Sequence, residues 1–172
     1  KIKERQKQYC LDNKEKIKKK KKQIYIDNKE KILLLSTNYI GSLGYLFQGK
    51  SFVVPITYFY NEEKNNIIGY SALGHKIKAM RKNNAVSLSV TDIDSVNDWK
   101  SVLVQGTYSE VEGSTAKALL HQFSLGVKDL ILRKKLRDLD FISQFSSKIY
   151  KDDIPIVFTI SVDEITGRMR KF

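Results

Sequence analysis

Residues 85–111 read AVSLSVTDIDSVNDWKSVLVQGTYSEV, and this stretch decides the fold. Ala85 to Ile93 alternates apolar and small polar residues with a period of two, the pattern of a half-buried strand with Val86, Leu88 and Val90 facing inward. Asp94 to Asp98 is a polar loop. Trp99 to Val111 is then a long second strand, and its Gly106 marks a bulge or a close approach of another backbone. A small closed or nearly closed sheet follows from such a pair.

Working outward, the flanking segments have the same character. Tyr39 to Phe47 and Ser51 to Tyr60 form two strands around the turn Gln48-Gly49-Lys50, with Gly41 and Gly44 allowing the first to bend. Asn65 to Ala72 is a third strand. A helix from Gly74 to Asn83 turns Ile77, Met80 and Ala79 inward, and Asn83-Asn84 ends it. Asp27 to Asn38 reads as a short helix capped by Asp27. A helical region runs from Ser114 to about Phe145 with Ala116, Leu119, Leu120 and Phe123 at helical spacing, and Ile154 to Val162 returns as a last strand. The order β-β-β-α-β-β-α-β has no long βαβ repetition. The expected class is therefore α+β, mainly β: an antiparallel barrel with helices appended rather than a doubly wound sheet.

The chain has 172 residues, 41% of them apolar, enough for one core. Its net charge of +12 is unevenly spread. Residues 1–31 hold 13 Lys or Arg against 5 Asp or Glu, leaving 18 against 14 for the rest. The expected organisation is a lysine-rich leader over 1–26, helical or partly disordered, and one domain over 27–172. The run Lys18 to Lys22 lacks interleaved aromatics, so nucleic acid is not the expected partner. No apolar run approaches a membrane span, and the lysine-rich start lacks the apolar centre of a secretory signal. The single cysteine, Cys10, has no disulfide partner within the chain and no metal-ligand spacing. These features point to a soluble protein in the reducing cytoplasm, without a metal.

The chemistry is concentrated in Tyr70-Ser71-Ala72-Leu73-Gly74-His75-Lys76, where a strand passes through a glycine into a helix. Free N–H groups at a helix start, a serine hydroxyl and a lysine ammonium are what a phosphate needs, and all three fall within six residues. Beyond that segment, no zinc spacing, Walker loop or nucleophile elbow is visible.

SFVVPITYFY, then YSALGHKIKAMRKN, then WKSVLVQGTYSEVEG form an ordered trio from Ser51 to Gly113 that resembles the pyridoxamine 5'-phosphate oxidase-like, FMN-binding split-barrel family. The terminal EITGRMRKF adds a likeness to its nitroimidazole-resistance (Nim-type) branch. The resemblance implies a split antiparallel β-barrel of FMN-binding type, working as a homodimer with FMN at the interface. It implies that the backbone of Val54, Pro55, Ile56 and Thr57 lies along the flavin, which would give a purpose to the missing N–H of Pro55; an edge position or a bulge would explain that proline equally. By the same likeness Tyr70 and Ser71 match a tyrosine-threonine pair whose hydroxyl meets the phosphate, and Lys76 and His75 match its basic residues. Nim-type proteins commonly carry histidine where this chain has Tyr70.

Ser101 falls where the oxidases place a glutamine near the ring, on a strand at the dimer interface. Trp99 would cover the flavin or pack at that interface, and Arg168 and Arg170 would approach the partner's cofactor or lie in a solvated tail. The tryptophan-arginine signature that holds vitamin B6 substrates is missing, so pyridoxamine-phosphate oxidation is disfavoured. The implied activity is electron transfer from a reduced donor to a small acceptor such as a nitroaromatic or quinone, with no residue marked as acid or base. The alternatives are a non-catalytic flavin-binding or sensing module, or a binder of deazaflavin or haem.

Overall fold

The computed structural model describes residues 24–134 and 155–171. The leader through Gln23 with Cys10 and the lysine run, the expected helix beyond Lys134 and the start of the last strand at Ile154 lie outside them. In chain order the elements are β1 (Ile24–Tyr25), α1 (Asn28–Thr37), β2 (Ile40–Phe47), β3 (Lys50–Thr57), β4 (Phe59–Asn61), β5 (Asn66–Ser71), α2 (His75–Lys82), β6 (Ala85–Ser95), β7 (Asp98–Val111), α3 (Gly113–Lys134) and β8 (Ile156–Lys171). All strand pairs are antiparallel.

The sheet runs β3-β2-β6-β7-β8-β5-β4, with β1 added against β8. Its two ends, β3 and β4, are joined by the single residue Tyr58. In a flat sheet six strand spacings of about 4.8 Å would part those ends by roughly 29 Å. One residue cannot bridge that distance, so the sheet has to curl until its ends meet, and the result is a split barrel. Tyr58 fixes the junction: its N–H donates to Tyr39 O at 2.9 Å and its hydroxyl to Leu35 O at 2.9 Å. Burial pushes its phenol far above the ordinary value.

Inside the barrel pack Leu43, Tyr45, Ile56, Ile67, Val86, Leu88, Val90, Val102, Val104, Phe158 and Ile160. Helix α1 adds Leu34 and Leu35 to this core, and Asp27 caps it by accepting Glu30 N–H at 2.8 Å. Helix α3 lies outside, burying Leu119, Phe123, Val127 and Ile131 against Ile68 and Val157. At Gly106 the β7–β8 register shifts. A Cβ there would collide with the carbonyl oxygen of Ser161, so the bulge anticipated from sequence does require glycine.

Three boundaries differ from the sequence reading. The Ser51–Tyr60 strand is broken at Tyr58 for the reason just given. Ile24 and Tyr25 pair with Met169 and Arg168, and Ile26 is buried, so the folded unit takes in residues ahead of Asp27. The last strand does not stop at Val162 but continues to Lys171, which places Arg168 and Arg170 in the sheet and not in a solvated tail. Gly167 permits this extension: a Cβ there would stand 2.5 Å from Ile26 Cγ1.

The outward face of the sheet has an unusual composition. Its outward positions are Ile40, Ser42, Gly44 and Leu46 on β2; Ser51, Val53, Pro55 and Thr57 on β3; Ser87, Ser89, Thr91 and Ile93 on β6; and Trp99, Ser101, Leu103 and Gln105 on β7. None of these positions on β2, β3, β6 and β7 is charged, although 29% of the chain is; the same face of neighbouring β8 carries Glu164, Arg168 and Arg170.

Candidate functional site

Helix α2 begins where β5 ends. Its N-cap is Gly74, extended and without a side-chain cap, so the first-turn N–H groups have no partner from the capping position. Ile77, Ala79 and Met80 are buried, while His75 is exposed and Lys76 partly so. Lys76 is half-buried, and burial lowers its ammonium pKa. Among the described residues it has no carboxylate partner; the described ion pairs are Arg81–Glu110, Lys100–Glu30 and Arg133–Asp129. A desolvated cation without a described carboxylate partner beside a bare helix start is chemically suited to an anion. Ser71 closes β5 nearby and donates its hydroxyl to Ala72 O at 2.9 Å.

His75 sits among aromatic rings that sequence reading did not assign to it. Tyr45 Oη lies 3.1 Å from its Nδ1, and the Phe52 and Phe47 ring centres lie 4.8 and 4.9 Å away. Tyr45 and Phe52 stack at 5.5 Å. The signal was present in the hairpin: a turn at Gln48-Gly49 pairs Tyr45 with Phe52 and puts both rings on the inner face with Phe47. A second feature missed from sequence ties α2 to β7. Arg81 forks onto Glu110 at 2.7 and 2.8 Å, and the Tyr108 hydroxyl donates to the same carboxylate at 2.7 Å. The guanidinium holds the Glu110 carboxyl below the usual range, while burial, with that carboxylate, pushes the Tyr108 phenol up.

The other expected residues divide into three groups. Val54, Pro55, Ile56 and Thr57 lie on β3, an end strand of the sheet path paired on one side with β2. Pro55 thus occupies an edge strand, where a missing N–H is tolerated. Tyr70 turns away from Ser71: as its neighbour on a strand it points to the opposite face, where its ring packs edge-on against Phe123 of α3 at 5.1 Å. Burial raises its phenol pKa. Trp99 and Ser101 lie on the outward face of β7, three strand spacings from β3 or roughly 14 Å along the sheet. They face Arg170 and Arg168 of β8 in register, and the Arg170 guanidinium stands 5.9 Å from the Trp99 ring centre. Within one chain Ser71, Gly74, His75 and Lys76 lie together at the β5–α2 junction, with His75 against Phe52 of β3, whereas Tyr70, Trp99 and Ser101 lie on other faces.

A separate hollow lies elsewhere. A groove of about 690 Å³ between α1, β4 and α3 is lined by Leu33, Phe59, Asn61, Gln122, Asp129 and Arg133 among others. Several of its polar groups pair with each other, Arg133 with Asp129 at 2.8 Å and Asn61 with Gln122 at 3.4 Å. Among the described residues no His, Cys, Asp or Glu cluster could hold a metal, and no helix is long and apolar enough to cross a membrane.

A profile of the pyridoxamine 5'-phosphate oxidase family matches residues 27–169. An uncharacterized protein of Rhizobium meliloti (strain 1021) is 32% identical over 123 residues, 69% of this chain and 76% of that protein. Among solved structures, an FAD-binding protein from Mesorhizobium loti superposes with a TM-score of 0.65 at 24% identity, covering 87% of this chain and 97% of the other. A proposed 5-nitroimidazole antibiotic resistance protein from Bacteroides thetaiotaomicron gives 0.60 at 18% identity, covering 86% and 87%. The two structural likenesses speak for the shared fold, and the profile, spanning α1 through most of β8, speaks for descent: this chain belongs to the pyridoxamine 5'-phosphate oxidase family.

Proposed function

We propose that this chain is a cytoplasmic flavoprotein oxidoreductase that binds FMN at the α2 end of the barrel and works as a homodimer. One observation carries the cofactor reading: Lys76 is half-buried, has no anionic partner among the described residues, and stands beside the uncapped start of α2. The phosphate would rest on the α2 N–H groups, on Lys76 and on Ser71 after its hydroxyl leaves Ala72 O. The ring edge would meet the backbone of Val54 to Thr57, where β3 has no second strand to satisfy it. The structural likeness to FAD-binding proteins from Mesorhizobium loti and Mycobacterium smegmatis supports a flavin of some kind.

When bound, flavin supplies hydride and single-electron transfer, and the protein supplies its position. This chain's own residues hold the phosphate, present the ring edge and shield one side of it with the barrel wall. We assign no proton transfer to a side chain. Electrons would pass from a reduced donor such as a pyridine nucleotide to a small acceptor, a nitroaromatic or quinone.

The dimer reading rests on the uncharged outward face of β2, β3, β6 and β7. A face of serine, glycine and apolar side chains suits burial against a second copy, because no charge is desolvated. A two-fold pairing through it would also bring Trp99 and Ser101 of one copy toward the β3 edge of the other. The test is the visible spectrum and native mass of the purified protein, with the released chromophore identified. Stoichiometric flavin on a dimer supports the reading; a colourless protein that also fails to bind added FMN overturns it. A flavin-loaded dimer that neither reduced nicotinamide nor dithionite-coupled acceptors can turn over would leave a flavin-binding module in place of an enzyme.

A further inference from the structure

We infer that Tyr45 is a positioning residue of the phosphate site: its buried hydroxyl holds His75 so that the far nitrogen of that ring, Nε2–H, stands at the start of α2 as a further donor to the anion. This rests on the flavin reading above and adds to it a residue that touches no ligand itself.

Tyr45 is 5% exposed, and its ring stacks at 5.5 Å on Phe52, its partner in the hairpin register. Packing explains the ring but not the hydroxyl, since a phenylalanine would stack as well. A buried hydroxyl needs a partner, and among the described residues this one has His75 Nδ1, at 3.1 Å. His75 is itself exposed, and an exposed side chain ordinarily exchanges among several rotamers. Here it is wedged in place. Phe47 meets it edge-on at 4.9 Å, Phe52 lies at 4.8 Å and Tyr45 at 5.8 Å between ring centres. Three rings and one hydrogen bond set the direction of a side chain that solvent would otherwise leave loose.

That direction decides where the proton sits. Nδ1 of a neutral imidazole accepts a hydrogen bond only when Nε2 carries the hydrogen. With the Tyr45 hydroxyl donating to Nδ1, the donor left over is Nε2–H, on the far side of the ring from Tyr45. No carboxylate pairs with His75 among the described residues. His75 is the first residue of α2 and Lys76 the second, so this donor joins the unpartnered N–H groups of the first turn. A neutral donor suits the place. The positive end of the helix and Lys76 already supply charge, and a hydrogen bond strengthens the hold on a phosphate oxygen without a second cation to repel when the site is empty.

The experiment is calorimetric titration of the full chain, freed of bound flavin, with FMN and with riboflavin, for the wild type, Tyr45→Phe, His75→Ala and the double variant. Tyr45→Phe keeps the stacked ring and His75 is exposed, so the variants should fold. Tyr45→Phe is expected to weaken FMN by roughly two- to thirteen-fold, the worth of one ordinary hydrogen bond, and to leave riboflavin unchanged. In the double variant the loss should equal that of His75→Ala alone, because Tyr45 acts through His75. A nitrogen-15 spectrum of the histidine-labelled wild type, with the His75 signals identified by their loss in His75→Ala, should show a single tautomer protonated at Nε2; this tests the same claim without altering Tyr45. Unchanged FMN affinity in Tyr45→Phe, equal weakening of both flavins, additive losses in the double variant, or a His75 ring protonated at Nδ1 alone would each overturn the role of Tyr45 while sparing the FMN reading. Equal affinity of the wild type for FMN and riboflavin would overturn both.

Discussion

The start of α2 and the groove between α1 and α3 differ in what their polar groups lack. The groove encloses about 690 Å³, yet Arg133 is matched by Asp129 and Asn61 by Gln122. At the α2 end Lys76 is desolvated without a described counter-ion and the helix start is uncapped. Size marks where a ligand has room; an unmet charge marks where a ligand is needed.

The sharpest break of this comparison is Lys76→Ala. Losing a charge-assisted contact to phosphate costs about 1.5–3 kcal/mol, roughly ten- to more than a hundred-fold in flavin affinity. The same lysine sets a pH dependence. Its pKa is lowered in the free protein, so affinity is full where the ammonium is charged and falls as pH rises through that depressed value, which a fluorescence titration across alkaline pH would follow.

The groove predicts the opposite pattern. A Cβ on Gly126 would run into the ring of Phe59, so Gly126→Ala should lift α3 and lower stability by about 1–3 kcal/mol. Flavin affinity of the folded molecules should stay the same. Thermal melting and titration together separate the two effects.

Ser71→Ala should weaken flavin by the worth of one ordinary hydrogen bond, about 0.5–1.5 kcal/mol or roughly two- to thirteen-fold. The smallest effect is expected at the exposed Arg81–Glu110 pair. Because the folded Glu110 carboxyl is depressed, its contribution is present at neutral pH and is lost as pH falls through the folded value. Glu110→Gln should therefore lower the melting temperature slightly at pH 7 and not at all in strong acid.

Much of this was legible in the sequence, and the misses have physical reasons. The inward set Val86, Leu88 and Val90, the Gly106 bulge, the Asp27 cap and the Ile77-Ala79-Met80 face follow from local periodicity and turn chemistry. Barrel closure was legible as a class, but its mechanism at Tyr58 was not, since an N–H bonded to Tyr39 O is invisible to a reading of one segment at a time. The long β8 was missed because Ile165, Gly167 and Met169 alternate with polar residues and glycine reads as a stop, whereas here it admits Ile26.

Within the proposed site, the Ser71 to Lys76 group could be picked out because its residues are contiguous in the chain. The direction of Tyr70 was the price of reading neighbours as partners: adjacent strand residues face opposite ways. The aromatic surroundings of His75 come from three separate positions brought together by the hairpin register.

The most direct test of the central claim compares FMN with riboflavin, which lacks the phosphate, on the wild type and Lys76→Ala. FMN should bind far tighter than riboflavin in the wild type, and the gap should close in the variant with riboflavin affinity unchanged. Equal affinities in the wild type, or a gap that survives the loss of Lys76, would contradict it.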